Sequence, residues 1–209
     1  MKVTVSVLKS KLDNKETIKK VGKTDADYIH VDVMDGQFIP HHSLSIYEVN
    51  NLFENCKKQL DIHLMVDDVK THIDAFKHLN VHSFIFHVET KQNIEELIEY
   101  VHSNNIKVGL AINPETQTDS LLPYLSELDS ILIMGVTPGL GGQKLIKETV
   151  DKAFVLKGLR SKFNYHYEIG LDGGVNLETR PLLNDCDYLI SGSYVCMSDN
   201  YQEKIDSLR

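Results

Sequence analysis

The stretch Tyr28-Ile29-His30-Val31-Asp32-Val33-Met34-Asp35-Gly36 carries two different faces in one line of residues. A β-strand sends alternate side chains to opposite sides. Ile29, Val31 and Val33 then share one side, and His30, Asp32 and Met34 the other. A β-branched apolar face suits packing under covering helices. A histidine and an aspartate on the opposite, inward face are costly to bury unless they are paired or hold a metal ion. The run closes on Asp35-Gly36, a turn signal at the strand's C-terminal end.

The same kind of run recurs along the chain. Strands are expected at Val3–Leu8, Tyr28–Val33, Leu60–Met65, Ser83–Val88, Lys107–Ile112, Ile131–Val136, Tyr165–Leu171 and Tyr188–Ser191. Helical patterns lie between them. Asn14–Val21 and Ile94–His102 repeat apolar residues at helical spacing, the latter through Ile94, Leu97, Ile98 and Val101. Ser45 is placed to cap a helix holding Val49, Leu52 and Phe53. Asp119 or Ser120 is placed to cap a short helix before Leu121–Leu125, and Lys147–Arg160 is a further amphipathic run. Strands alternating with helices imply parallel strands joined by right-handed crossovers. Eight such units favour closure, so the expected fold is an α/β single-domain (β/α)8 TIM barrel over residues 1–209. An open doubly wound sheet is the alternative. The first βα turn has no Gly-x-Gly-x-x-Gly, so a dinucleotide-binding fold has little support.

Composition narrows the function classes. At 42% hydrophobic and 25% charged residues the chain reads as an ordinary globular protein. A net charge of −8 argues against a nucleic-acid partner. No apolar run approaches a membrane span, and the first residues lack the apolar core of a signal peptide. A cytoplasmic location follows as an expectation. Cys56, Cys186 and Cys196 have no metal-type spacing and read as reduced structural thiols.

Two further strands repeat the opening pattern. In Asp61-Ile62-His63-Leu64-Met65 the residues Asp61, His63 and Met65 share a face. In Glu168-Ile169-Gly170-Leu171-Asp172-Gly173-Gly174 the aspartate stands at the strand end, before glycines that permit close backbone approach. His30, Asp32, His63 and Asp172 together make a candidate site for one divalent metal ion. Imidazole with carboxylate suits Zn, Fe, Mn or Co alike. The run from Ile131 to Gln143 leads from a strand into a glycine-rich loop, and Gly173-Gly174 and Gly192-Ser193 follow the next two strands. Such loops offer backbone N–H groups to anions, and barrel phosphate sites form late in the chain. Met34, Met65 and Met134 suit either a dry wall beside the site or core packing. Asp35 suits a turn or a supporting contact, and His87 with Glu89 a structural pair. His72, His78, His82, His102 and His166 read as surface residues.

His30-Val-Asp32-Val-Met34-Asp35-Gly36-Gln-Phe38-Ile-Pro40 resembles the signature of the ribulose-phosphate 3-epimerase family. So do Asp61-Ile-His63-Leu-Met65, Met134-Gly-Val-Thr-Pro138-Gly139-Leu-Gly141-Gly142-Gln143, Asp172-Gly173-Gly174 and Gly192-Ser193, while Val5-Ser6-Val7-Leu8 resembles its first strand. The resemblance implies a barrel that interconverts D-ribulose 5-phosphate and D-xylulose 5-phosphate. It implies His30, Asp32, His63 and Asp172 as metal ligands, with Asp32 and Asp172 as the acid/base pair. It implies Ser6 and His63 against the sugar, and Gly139, Leu140, Gly141, Gly142, Gly173, Gly174, Gly192 and Ser193 on the phosphate side. The expected partners are a phosphorylated ketose and, at most, further copies of this chain in a homo-oligomer.

The chain departs from the family pattern at His41, Thr137, Leu140 and Tyr194–Cys196, none of them a proposed ligand. His41-His42-Ser43-Leu44-Ser45 and Asn113-Pro114-Glu115-Thr116 resemble the related allulose-6-phosphate 3-epimerases. A barrel decarboxylase would need an inward Asp-x-Lys-x-x-Asp, and Lys107 stands in no such motif. A non-catalytic sugar-phosphate binding protein would not need two such aspartates. Inverting carbon 3 of a 2-ketose requires a proton removed on one face and another added on the opposite face, through an enediolate.

Overall fold

A computed structural model describes residues 1–209. Its strands are β1 (Lys2–Ser6), β2 (Ile29–Met34), β3 (Leu60–Met65), β4 (Val81–His87), β5 (Lys107–Ile112), β6 (Ser130–Met134), β7 (Glu168–Asp172) and β8 (Tyr188–Ser191). Each pairs in parallel with its sequence neighbour, and β8 pairs with β1 to close the barrel. The helices are α1 (Asn14–Val21), α2 (Ile46–Phe53), α3 (Val69–Phe76), α4 (Ile94–Ser103), α5 (Val150–Phe163), α6 (Ser193–Cys196) and α7 (Tyr201–Asp206). The open-sheet alternative is excluded by the β1–β8 pairing. None of the helices is long and apolar enough to cross a membrane.

The alternation read in β2 decides where each side chain goes. Ile29, Val31 and Val33 are buried in the main core under the helices, with Ile62 and Leu64 of β3 and Phe84 and Phe86 of β4. A second cluster of Ile85, Ala111, Leu132, Met134, Tyr188 and Ile190 fills part of the barrel interior. There the Tyr188 ring lies against Gly170, where a Cβ would stand 2.0 Å from its Cζ. The β2–β3 register sets His30 beside Asp61, Asp32 beside His63 and Met34 beside Met65. Acid and imidazole therefore become lateral neighbours inside the barrel.

Local signals explain most element ends. Ser45 caps α2 in a reciprocal pair with Glu48, as its sequence position predicts. Asn164 takes a left-handed conformation (φ 56°) and ends α5. The predicted strand from Tyr165 begins only at Glu168, because the Tyr165 N–H still bonds back to Arg160 and Tyr167 donates its hydroxyl to Leu156 under α5. The expected helix before Leu121–Leu125 is instead a 3-10 turn at Thr118–Leu121. Asp119 and Ser120 lie inside it rather than capping it. Pro123 stands one residue beyond Leu122 and has no backbone N–H to extend the turn into an α-helical ladder.

Candidate active site

Side chains of β2, β3 and β7 meet at the C-terminal mouth of the barrel. One donor atom from each of His30, Asp32, His63 and Asp172 lies within 4.8 Å of the others. The two imidazoles are fully buried, Asp32 is buried and Asp172 is partly buried. All four candidate metal residues are thus brought together.

Partners of the rings determine which nitrogens face the centre. His30 Nδ1 donates to Asp61 Oδ2 at 2.8 Å, and Asp61 also accepts from Ser83 Oγ. His30 Nε2 then points at the cluster, 3.3 Å from Asp32 Oδ1, and is buried without a hydrogen-bond partner. His63 Nδ1 lies 3.3 Å from the same oxygen. Ser6 Oγ donates to Asp32 Oδ2 at 2.8 Å. An orphaned buried nitrogen, a second imidazole and two carboxylates around one point form a donor set that fits a divalent ion of the zinc, iron, manganese or cobalt kind.

The electrostatics agree with a site built for positive charge. Burial works against the His30 charge, yet Asp32 and Asp61 together hold its ionisation well above the ordinary imidazole value. Burial likewise opposes the Asp32 charge, but the His30 charge and its contact hold that carboxyl well below the usual range. Asp172 goes the other way. Burial, reinforced by the negative charge of Asp32, pushes it up to about 7. Burial brings His63 down to about 4 despite its contact with Asp32. Two carboxylates facing one centre therefore favour opposite protonation states in the neutral range.

The cluster opens into a cavity of about 390 Å³. Met34, Met65 and Met134 line it while being nearly fully buried, so they serve as both wall and core. Ser6 and every predicted phosphate-side residue from Gly139 to Gly142 line it, as do Gly173, Gly174, Gly192 and Ser193. Gly139, Gly142, Gly173 and Gly174 have φ between +70° and +116°, backbone that a side chain would strain. Gln143 donates from its amide nitrogen to the Thr137 and Leu140 carbonyls, which braces the β6 loop across itself. Ser193 Oγ is buried without a partner.

Lys9, in the loop after β1, escaped the sequence reading. Its Nζ stands 3.3 Å from where a Gly142 Cβ would be, and Ser193 Oγ 3.7 Å from the same point. No protein carboxylate pairs with it. Position alone was the available signal, because loops that follow barrel strands surround the mouth. Asp35 accepts from the backbone N–H groups of Gln37, Phe38 and Asp67, so it is a turn residue. His87 and Glu89 are hydrogen-bonded at 3.0 Å. Of the predicted surface histidines, His82 is half-buried and stacks on Tyr28.

Fold and site together define a (β/α)8-barrel enzyme with a histidine–carboxylate centre at its mouth. Residues 2–196 match the ribulose-phosphate 3-epimerase family, and the chain belongs to that family. It is 30% identical to ribulose-phosphate 3-epimerase of Helicobacter pylori strain J99 over 212 residues, spanning 100% of this chain and 97% of the relative. It is 32% identical to ribulose-phosphate 3-epimerase of Schizosaccharomyces pombe, spanning 100% of this chain and 92% of the relative. Among solved structures, 3-hexulose-6-phosphate synthase from Salmonella typhimurium superposes with a TM-score of 0.68 at 16% identity, over 100% of this chain and 96% of that one. At that identity the likeness concerns the fold alone.

Proposed function

We propose that this enzyme epimerises carbon 3 of a ketose phosphate, converting D-ribulose 5-phosphate to D-xylulose 5-phosphate. The observation that carries the reading is the pair Asp32 and Asp172. They share one centre, yet their surroundings drive their ionisation apart, one below the ordinary carboxylate range and one up to about 7. Such divergence marks an acid/base pair. Their strands, β2 and β7, are separated by β8 and β1 around the barrel, so the carboxylates approach the cavity from different sides.

In this mechanism ionised Asp32 takes the carbon-3 proton on one face, and protonated Asp172 supplies one on the other. The reverse reaction exchanges their roles. A divalent ion held by His30, Asp32, His63 and Asp172 would supply Lewis-acid stabilisation of the enediolate charge. Ser6 orients the Asp32 carboxylate through its hydroxyl, and together with His63 faces the sugar. The three methionines keep water from the reacting carbon. Gly139–Gly142, Gly173, Gly174, Gly192 and Ser193 receive the phosphate, with Lys9 adding a cation. Three free cysteines support a reducing, cytoplasmic setting, and the acidic net charge supports the absence of a nucleic-acid partner.

The competing substrate is D-allulose 6-phosphate, which calls for the same chemistry. His41, in the loop that suggests it, packs against Gly139 of the phosphate-side loop. The test is an assay in deuterated water with both ketose phosphates, reading epimer formation and deuterium at carbon 3. Faster turnover of ribulose 5-phosphate supports the reading. Faster turnover of allulose 6-phosphate transfers it to that substrate. No exchange into either leaves a binding protein and refutes the enzyme mechanism.

A further inference from the structure

We infer that His87 and Glu89 are positioning residues: they hold His63 in the one tautomer whose free nitrogen can bind a divalent ion. This rests on the metal-dependent reading above. It concerns strand β4, which contributes nothing to the four-residue cluster.

The chain of contacts starts at Glu89. Its Oε1 accepts from the Asn113 backbone N–H at 2.9 Å and from Thr116 Oγ1 at 2.5 Å. That segment is itself pinned by Lys152, whose Nζ donates to the carbonyls of Asn113, Pro114 and Thr116 at 2.7–2.8 Å. Glu89 Oε2 faces His87 Nδ1 at 3.0 Å. A carboxylate only accepts, so His87 Nδ1 carries the hydrogen. An imidazole with one proton then has a bare Nε2. In that tautomer His87 Nε2, 2.9 Å from His63 Nε2, accepts from it. Its Nδ1 is left as a lone pair, 3.3 Å from Asp32 Oδ1.

The consequence, once an incoming ion displaces the His30 proton, is a coincidence of lone pairs. His63 Nδ1 and His30 Nε2 both lie 3.3 Å from the same oxygen of Asp32. Asp61 orients His30, and the Glu89–His87 pair orients His63 by the same logic. With the opposite tautomer, His63 would direct an N–H at Asp32 and occupy the place of the ion. Phe38 covers the relay, its ring centre 5.0 Å from that of His87. Outer hydrogen-bond partners of a ligating histidine commonly contribute 10–100-fold to metal affinity.

Glu89→Gln is the sharpest test because it is nearly isosteric and inverts the relay. Its amide oxygen can satisfy Asn113 and Thr116, which turns the NH2 toward His87 Nδ1. His87 then carries its hydrogen on Nε2, and His63 is driven to Nδ1–H. His87→Gln preserves the relay, since one amide can accept from His63 and donate to Glu89. His87→Phe removes it. Two readouts are taken on full-length protein: the His63 tautomer in metal-free, 15N-histidine-labelled protein by NMR, and Mn2+ affinity by chelator competition. The wild type and His87→Gln should show Nε2–H, with Mn2+ affinities within about threefold of each other. Glu89→Gln should show Nδ1–H, and both it and His87→Phe should bind Mn2+ about 10–100-fold more weakly.

An Nδ1–H tautomer in the wild type overturns the inference. So does a Glu89→Gln variant with wild-type Mn2+ affinity. If His87→Phe fails to fold, Glu89→Gln decides alone. A wild type that binds Mn2+ with the expected variant pattern, yet turns over no ketose phosphate, refutes the proposed function and supports the relay.

Discussion

Replacing Asp172 by asparagine should slow turnover severely and, at the same time, stabilise the metal-free protein at alkaline pH. Burial and the Asp32 charge raise the Asp172 carboxyl to about 7 from an ordinary value of 3.8. The folded state therefore prefers it protonated. Stability associated with this group is greatest below 3.8 and is lost as pH rises toward about 7. Asp32 is shifted in the opposite direction, so its contribution is lost only as pH falls below the ordinary carboxylate range. Between pH 5 and pH 8 the Asp172 term weakens the wild type by about 3 kcal/mol, at about 1.4 kcal/mol per pH unit up to its folded value. Asparagine does not titrate, so the variant escapes this loss. For a chain of this length, about 3 kcal/mol is roughly 6–12 °C in melting temperature. The assay is thermal unfolding of exhaustively chelated wild type and variant at both pH values. The variant should gain on the wild type from pH 5 to pH 8, while kcat falls about 10²–10⁴-fold when metal is restored. Parallel pH profiles would show that Asp172 is not an electrostatically strained acid. Near-normal kcat in a variant that retains its metal would remove it from the mechanism.

Four further outcomes are expected. Exhaustive chelation should abolish turnover and a divalent ion should restore it; full activity in a verified metal-free preparation refutes the metal site. Asp32→Asn should lower kcat about 10²–10⁴-fold with far smaller effect on ketose-phosphate affinity, measured alongside its metal content. Gly142→Val should raise KM strongly. Its φ of +85° strains a side chain, and the new Cβ would stand 3.3 Å from Lys9 Nζ; an unchanged KM means the phosphate binds elsewhere. Lys9→Gln should raise KM for the phosphorylated ketose about tenfold with kcat unchanged, as expected for loss of one charge-assisted contact; an unaltered KM excludes Lys9 from phosphate recognition.

Alternation and punctuation carry much of this protein in the sequence. Period-two patterning in Ile29–Met34 and Leu60–Met65 assigned every side chain of β2 and β3 to the correct face, because a buried parallel strand must present one side to helices and the other to the interior. Strand-to-helix repetition was enough to expect closure, and the β1–β8 pairing bears it out. The four residues of the His–Asp centre were legible because charged groups on an apolar, inward-facing strand need a reason to be there. Sequence alone left other features open, since they depend on distances between strands. Asp61 could be assigned a face but not a partner; only the barrel's stagger brings its carboxylate against His30 and Ser83. Lys9 is an unremarkable loop lysine until α6 and the β6 loop close around it. The opposite fates of Asp32 and Asp172 have no local signal whatever. Asp32 lies within β2 and Asp172 closes β7, and the difference arises because two imidazoles flank Asp32 while burial and a neighbouring negative charge act on Asp172. Short-range sterics and hydrophobic pattern are written along the chain; the ordering of charges around a shared centre exists only once the strands are laid side by side.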